Sequence, residues 1–154
     1  GVDLSVETTI RLSAHNNIAA IKDATADLDR VVRLREGCGP QFVLLSGDDG
    51  TSAEFMLLGG DGCISVTGNV VPAKMRALCD AARADDRELA TSIDSDLRAL
   101  HEALFVESNP IPVKWAVEQL GLTGRGIRLP LTPLAEQYHT VVSSAMQTAL
   151  AEAA

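Results

Sequence analysis

No run of this sequence is strongly basic, and none approaches the roughly 18 consecutive apolar residues that cross a bilayer. With a formal net charge of −8, the chain has no electrostatic footprint for nucleic acid or for an anionic membrane. No basic segment leads into an apolar one, so no secretory signal is visible. Aromatic residues are scarce, 3% of the chain, and Trp115 and Phe105 read as packing residues rather than base-stacking platforms. The cysteines, Cys38, Cys63 and Cys79, are three in number and share no CxxC spacing. Neither a disulfide framework nor a zinc site is expected, and they read as small reduced residues of a cytosolic protein. His15, His101 and His139 are scattered, with no HxxxH pair, so no metal is expected. There is no G-x-S-x-G elbow for a serine hydrolase. The glycines of GGDGC precede a strand instead of linking strand to helix, which argues against a nucleotide cofactor.

What remains is an ordinary globular balance, 46% apolar and 22% charged over 154 residues, enough for one domain. Three short apolar runs recur at residues 18–21 (IAAI), 42–45 (FVLL) and 63–66 (CISV), each bounded by turn residues as buried parallel strands are. A weakly periodic helix is expected around residues 5–14. Between the first two runs, Leu28, Val31 and Val32 form a helical stripe with Gly37 as its stop. Between the second and third, Thr51 and Glu54 have capping-box spacing, and Gly59-Gly60 ends that helix. This β-α-β-α-β order predicts parallel strands joined by right-handed crossovers.

After the third run the chain reads as all helix. Pro72 opens a helix with Met75, Leu78, Cys79 and Ala82 on one side. A longer helix carries Leu89, Ile93, Leu97, Leu100 and Leu104. NPIP at 109–112 breaks it, a short helix ends at Gly121, and Thr132-Pro133 predicts the start of a last helix. Three parallel strands are too few to close a barrel. They suit an open sheet edge, or the last three strands of a (β/α)8 barrel; the absence of an initial Met favours the second.

Ligands of parallel α/β folds bind at the carboxyl ends of the strands. Those ends are expected at Lys22–Thr25, Ser46–Asp49 and Thr67–Asn69. Lys22 is either a solvated cation at a strand end or a nucleophilic amine. An amine attacks a carbonyl only when unprotonated, which the apolar IAAI run would favour. Asp48 and Asp49 are candidate acid/base groups or ligands, or simply the cap of the following helix. Gly47 would let a ligand approach the backbone.

IKDAT at 21–25, FVLLSGDDGT at 42–51, FMLLGGDGCISVTGNV at 55–70 and LFVESNPIPVKWAVEQLGL at 104–122 together resemble the dihydrodipicolinate synthase family. The likeness runs in order along nearly the whole chain. It implies a partial TIM (β/α)8 barrel over residues 1–84, its last three parallel strands and their helices, followed by a C-terminal helical extension over 85–154. It further implies that Lys22 forms a Schiff base with pyruvate, whose enamine then attacks L-aspartate 4-semialdehyde. The Ile64 backbone would lie against pyruvate, and Gly47 and Asp48 would line the pocket. No cofactor is implied. The partners are the two substrates and further copies of the chain, as a homotetramer, in the cytoplasm. Asp23, Ala26 and Ser108 stand where the family usually has Glu, Gly and Pro. The family's relay tyrosine, its pyruvate-binding threonine, the arginine expected just before Gly1 and its lysine-feedback site all fall outside the part this chain resembles. Tyr138, on the last helix, cannot replace that tyrosine. The chain alone is therefore expected to be inactive or nearly so. Two alternatives stay open: a sister pyruvate-dependent aldolase, such as N-acetylneuraminate lyase or a 2-keto-3-deoxy sugar-acid aldolase, and a non-catalytic oligomerising fragment.

Overall fold

Ser5 starts the first helix: its hydroxyl accepts from the Thr8 amide at 3.2 Å, and α1 (Val6–Ser13) follows. The computed structural model describes residues 2–151. These form two compact units, residues 2–65 with Cys79–Ala90, and Val66–Leu78 with residues 91–151.

The first unit carries the sheet. Strands β1 (Ala20–Asp23), β2 (Val43–Ser46) and β3 (Gly62–Cys63) are parallel and lie in that order. Lys22 pairs with Leu45, Asp23 with Ser46, and Ser46 with Cys63. The β-α-β-α-β order is as predicted, but the strands start later than two of the apolar runs. β1 takes in Lys22 and Asp23, and the third strand is only two residues long, so most of CISV lies beyond it.

Helix α2 (Leu28–Cys38) is capped by Asp27, whose carboxylate accepts from the Asp29 amide at 3.1 Å. Its buried stripe is Val31 and Leu34, with Val32 turned to solvent. The stop is Gly39, at φ 76°, rather than Gly37. Gly37 lies inside the helix because α1 packs against it there: a Cβ would collide with the Ile10 side chain. Val6, Val31, Leu34, Phe42, Leu44 and Phe55 form the core. Burying Leu34 or Leu44 completely stabilises the fold by about 1.5–3 kcal/mol relative to exposure.

The expected capping box at Thr51 does not form. A 3₁₀ turn (Asp49–Thr51) leads into α3 (Ser52–Leu57), and the Thr51 hydroxyl donates to Asp48 instead. Glu54 pairs with Arg87 at 2.7 Å. Arg35 ties the bottom of this unit together. Its guanidinium donates to the carbonyls of Gly39, Phe42 and Gly59 and to Asp61 Oδ2, which also accepts from the Leu44 amide at 2.8 Å.

Helix α4 (Pro72–Arg83) begins in the second unit and ends in the first, and α5 (Arg87–Ala103) runs the other way. On α5 the buried positions include Ala90, Asp94, Leu97, Leu100, His101 and Ala103, while Leu89 is about half exposed. Leu97, Leu100 and Leu104 are buried as expected, but the first half of the stripe is shifted to Ala90 and Asp94 and so includes a carboxylate. Within the second unit His101 Nδ1 lies 2.7 Å from the Thr67 hydroxyl, and Arg98 donates to Asp94 at 2.8 Å. Helix α6 (Ile111–Gln119) follows the proline break and stops near Gly121, at φ 70°. Thr132 does not start the last helix: residues 131–135 form no regular element, and a 3₁₀ turn (Glu136–Tyr138) precedes α7 (His139–Leu150). Trp115 stacks on His139 with ring centres 4.6 Å apart, a packing role as expected.

Candidate active site

Side chains alternate across a strand, and that alternation decides what Lys22 meets. Ile21 and Asp23 turn toward the helices. Ala20 and Lys22 turn to the opposite face, which is exposed. Of the apolar run expected to wall in the amine, only Ala20 shares that face. The lysine therefore stands within β1, on an open surface, not at the tip of a buried strand.

Gly47 directly follows β2, and its amide donates to the Asp23 carbonyl at 2.7 Å. A Cβ at this position would lie 2.5 Å from Lys22 Cε, 3.0 Å from Lys22 Cγ and 2.9 Å from the Ala24 Cβ. The space freed by this glycine is filled by the lysine stem. Ile64 is one residue past β3, and its amide donates to the Ser46 carbonyl at 2.8 Å, which extends the ladder by one step. Its side chain is 50% exposed. Lys22, Gly47 and the Ile64 backbone thus belong to the same end of one sheet.

Asp48 lies beside them, but its carboxylate is engaged. Oδ2 accepts from the Thr51 amide at 3.0 Å and from the Thr51 hydroxyl at 2.7 Å. The Ser46 hydroxyl also donates to the Asp48 carbonyl at 2.9 Å. These bonds shape the turn that leads into α3. Thr67–Asn69, expected at the same rim as a strand end, is a 3₁₀ turn of the second unit.

Sequence reasoning missed the group that anchors β1. Asp23 is 7% exposed. Its Oδ1 accepts from the Thr25 amide at 2.9 Å and the Thr25 hydroxyl at 2.6 Å, and its Oδ2 accepts from Arg30 Nε at 2.9 Å. Arg30 also donates to the Leu4 carbonyl at 2.8 Å. Burial pushes the Asp23 carboxyl up, but the Thr25 hydrogen bonds and the Arg30 guanidinium outweigh it and hold it below the usual carboxylate range. The signal was a pair of opposite charges seven residues apart, across a strand-to-helix turn, where no helical spacing rule applies.

Among the described residues no group of three or more His, Cys, Asp or Glu could hold a metal ion, and no helix is long and apolar enough to cross a membrane. Tyr138, the single tyrosine, opens α7 in the second unit.

The family model for the dihydrodipicolinate synthetase family matches residues 1–149. A 4-hydroxy-tetrahydrodipicolinate synthase from Cellvibrio japonicus is 56% identical over 149 residues, which is 97% of this chain and 51% of that protein. One from Shewanella frigidimarina is 53% identical over 149 residues, covering 96% of this chain and 51% of that protein. Among solved structures, the chloride-inhibited dihydrodipicolinate synthase from Acinetobacter baumannii, complexed with pyruvate, superposes with a TM-score of 0.94 at 49% identity. That match covers 97% of this chain and 51% of the other. The chain spans about half the length of the curated relatives it matches. It has the α/β fold of these enzymes, a three-stranded parallel sheet with helices. On this sequence and structural similarity, the chain belongs to the dihydrodipicolinate synthetase family.

Proposed function

We propose that this chain supplies the Schiff-base half of a 4-hydroxy-tetrahydrodipicolinate synthase, a lyase of lysine biosynthesis by the diaminopimelate route. Residues 1–84 are the end of a (β/α)8 barrel in this reading, and 85–154 its helical extension. The observation that carries it is the packing of Lys22 against Gly47 on the open sheet face, in a chain 56% identical to a protein of that name.

Lys22 Nζ attacks the pyruvate ketone carbon, and water leaves as the imine forms. Loss of a methyl proton gives the enamine, whose carbon attacks the aldehyde of L-aspartate 4-semialdehyde. The semialdehyde's own amine then displaces Lys22 as the ring closes. Gly47 leaves room for the lysine stem, and the Ile64 backbone bounds the pyruvate. Asp48 acts by shaping the turn beside them. The exposed face of Ala20, Lys22 and Val43 faces the barrel interior once the remaining strands are present. In this reading, proton transfer to and from Lys22 falls to a tyrosine of the half that this chain does not match. The complete protein assembles as a homotetramer; a monomeric dihydrodipicolinate synthase variant, with a TM-score of 0.92 to this chain, makes the assembly state worth measuring directly.

The test is reductive trapping. This chain is joined to the half of the Cellvibrio japonicus protein that it does not match, then treated with pyruvate and borohydride. An adduct mapped to Lys22 by mass spectrometry, together with turnover of aspartate semialdehyde, is the expected result. An adduct elsewhere, or none, overturns the assignment. An adduct at Lys22 without turnover of the semialdehyde points to a sister aldolase.

A further inference from the structure

Cys63 ends β3 and Cys79 lies on α4, and their sulfur atoms are 3.6 Å apart. Both residues belong to the first unit, and both are partly exposed. Neither has a place in the proposed lysine chemistry. Cys38, the third cysteine, instead closes α2 and packs against the core of Val31, Leu34 and Phe42. We propose that Cys63 and Cys79 form a modification site, a thiol pair that a peroxide converts reversibly into an intrachain disulfide joining β3 to α4.

Geometry carries the proposal. A disulfide needs its sulfurs about 2.05 Å apart, so the pair must close by about 1.5 Å, within reach of side-chain torsions. The surroundings disfavour a metal, since among the described residues the pair has no further His, Cys, Asp or Glu to complete a site of three. The hydrogen bond with Cys79, burial, and the charges of Cys79 and Asp49 all push the Cys63 thiol up. Cys63 is therefore held in its protonated form, and the thiolate of the proposed step is placed on Cys79.

The reaction balances with one peroxide. The Cys79 thiolate attacks a peroxide oxygen, the O–O bond breaks, and the departing hydroxide takes a proton to leave as water. Cys79 is then a sulfenic acid. The Cys63 sulfur attacks the Cys79 sulfur, the S–O bond breaks, and a second water leaves with the Cys63 proton. Two thiols are oxidised and one peroxide is reduced. Reduction by an external dithiol reverses the step. The bridge would tie down the residue immediately before Ile64, whose amide holds the end of the ladder to Ser46.

The test uses the full reduced chain, treated with hydrogen peroxide, then alkylated and digested without reductant. The expected products are an intact mass lower by two hydrogens, a fall from three alkylatable thiols to one, and a linked peptide pair containing Cys63 and Cys79. Dithiothreitol should restore all three thiols. Cys63→Ser and Cys79→Ser should each abolish the link, and Cys38→Ser should leave it intact. Sulfinic acid at either residue without a link, or links through Cys38 or between chains in place of this one, would overturn the proposal. The wild-type peptide map decides it even where a variant fails to fold.

Discussion

Lys22 and Gly47 are packed so closely that a single methyl group at residue 47 would lie 2.5 Å from Lys22 Cε. The stem is flexible and can swing aside, but the Ala24 Cβ, 2.9 Å away, has no torsion to move it. Gly47→Ala should cost about 1 kcal/mol of stability, the low end for overpacking. Its larger effect is on the direction of the amine. In the joined protein, borohydride-trapped pyruvate on Lys22 should fall about tenfold or more, the equivalent of ~1.4 kcal/mol. Unchanged trapping would show that the stem's path does not matter.

Asp48 separates a structural role from a pocket role. Asp48→Ala removes the acceptor for the Thr51 amide and hydroxyl, and should cost about 1 kcal/mol, as loss of a helix cap does. Asp48→Asn keeps an oxygen for the same cap and should recover most of that loss. If the carboxylate acts only through the turn, Asp48→Asn also retains pyruvate trapping. Stable protein with lost trapping would place its charge on the substrate.

Two carboxyls give opposite responses to acid. Asp23 is held below the usual carboxylate range in the folded state. Its contribution is present above the unfolded value, about 3.9, and is lost as the pH falls through the folded value. Urea titrations should therefore show stability declining below about pH 4, with a shallower decline in Asp23→Asn. Arg30→Ala breaks a buried ion pair, with side chains only 11% and 5% exposed, and should cost about 3 kcal/mol near neutral pH.

Asp94 runs the other way. Burial raises its carboxyl, although the nearby His101 and the Arg98 guanidinium pull it down. Its neutral form is the favoured one in the fold, so its contribution is full below the unfolded value and is lost as the pH rises through the raised one. The stability advantage of the wild type over Asp94→Asn should shrink as the pH rises from about 4 toward neutrality. An advantage that grows over that window would reverse the sign.

Ala26 occupies the left-handed region, at φ 60°, where the family resemblance expects glycine. An L-residue there costs roughly 1–2 kcal/mol, and glycine returns part of that through greater freedom in the unfolded chain. Ala26→Gly should raise stability by about 0.5–1 kcal/mol, read as a higher melting temperature. A lower melting temperature would show that the Asp23–Thr25 turn already relieves the strain.

The features legible in the sequence were those carried by near neighbours. The helix stops at Gly59 and Gly121 came from positive-φ glycine, and Leu28 and Val31 of the expected α2 stripe do pack on the core, although Val32 faces solvent and the buried Leu34 was not in that stripe. The errors share a cause. Gly37 looked like a stop because it is a glycine, but its lack of a side chain serves contact with Ile10, 27 positions earlier. Thr51 and Glu54 had capping-box spacing, yet Asp48 and Arg87 offered them stronger charged partners. Arg87 lies 33 positions from Glu54, outside any local window, whereas Asp48, three residues before Thr51, was already a candidate cap in the sequence.

The identity of Lys22 as the candidate nucleophile, the parallel β-α-β-α-β order and the family itself followed from the sequence alone, because motif spacing and apolar runs are properties of consecutive residues. Only the tertiary structure showed that the lysine stem fills the space left by Gly47, that Arg30 neutralises Asp23 beneath it, and that Cys63 faces Cys79. Each of these joins residues separated by a strand-to-helix turn or a whole crossover. Their approach is set by sheet register and helix packing, and those emerge only when the apolar faces find one another.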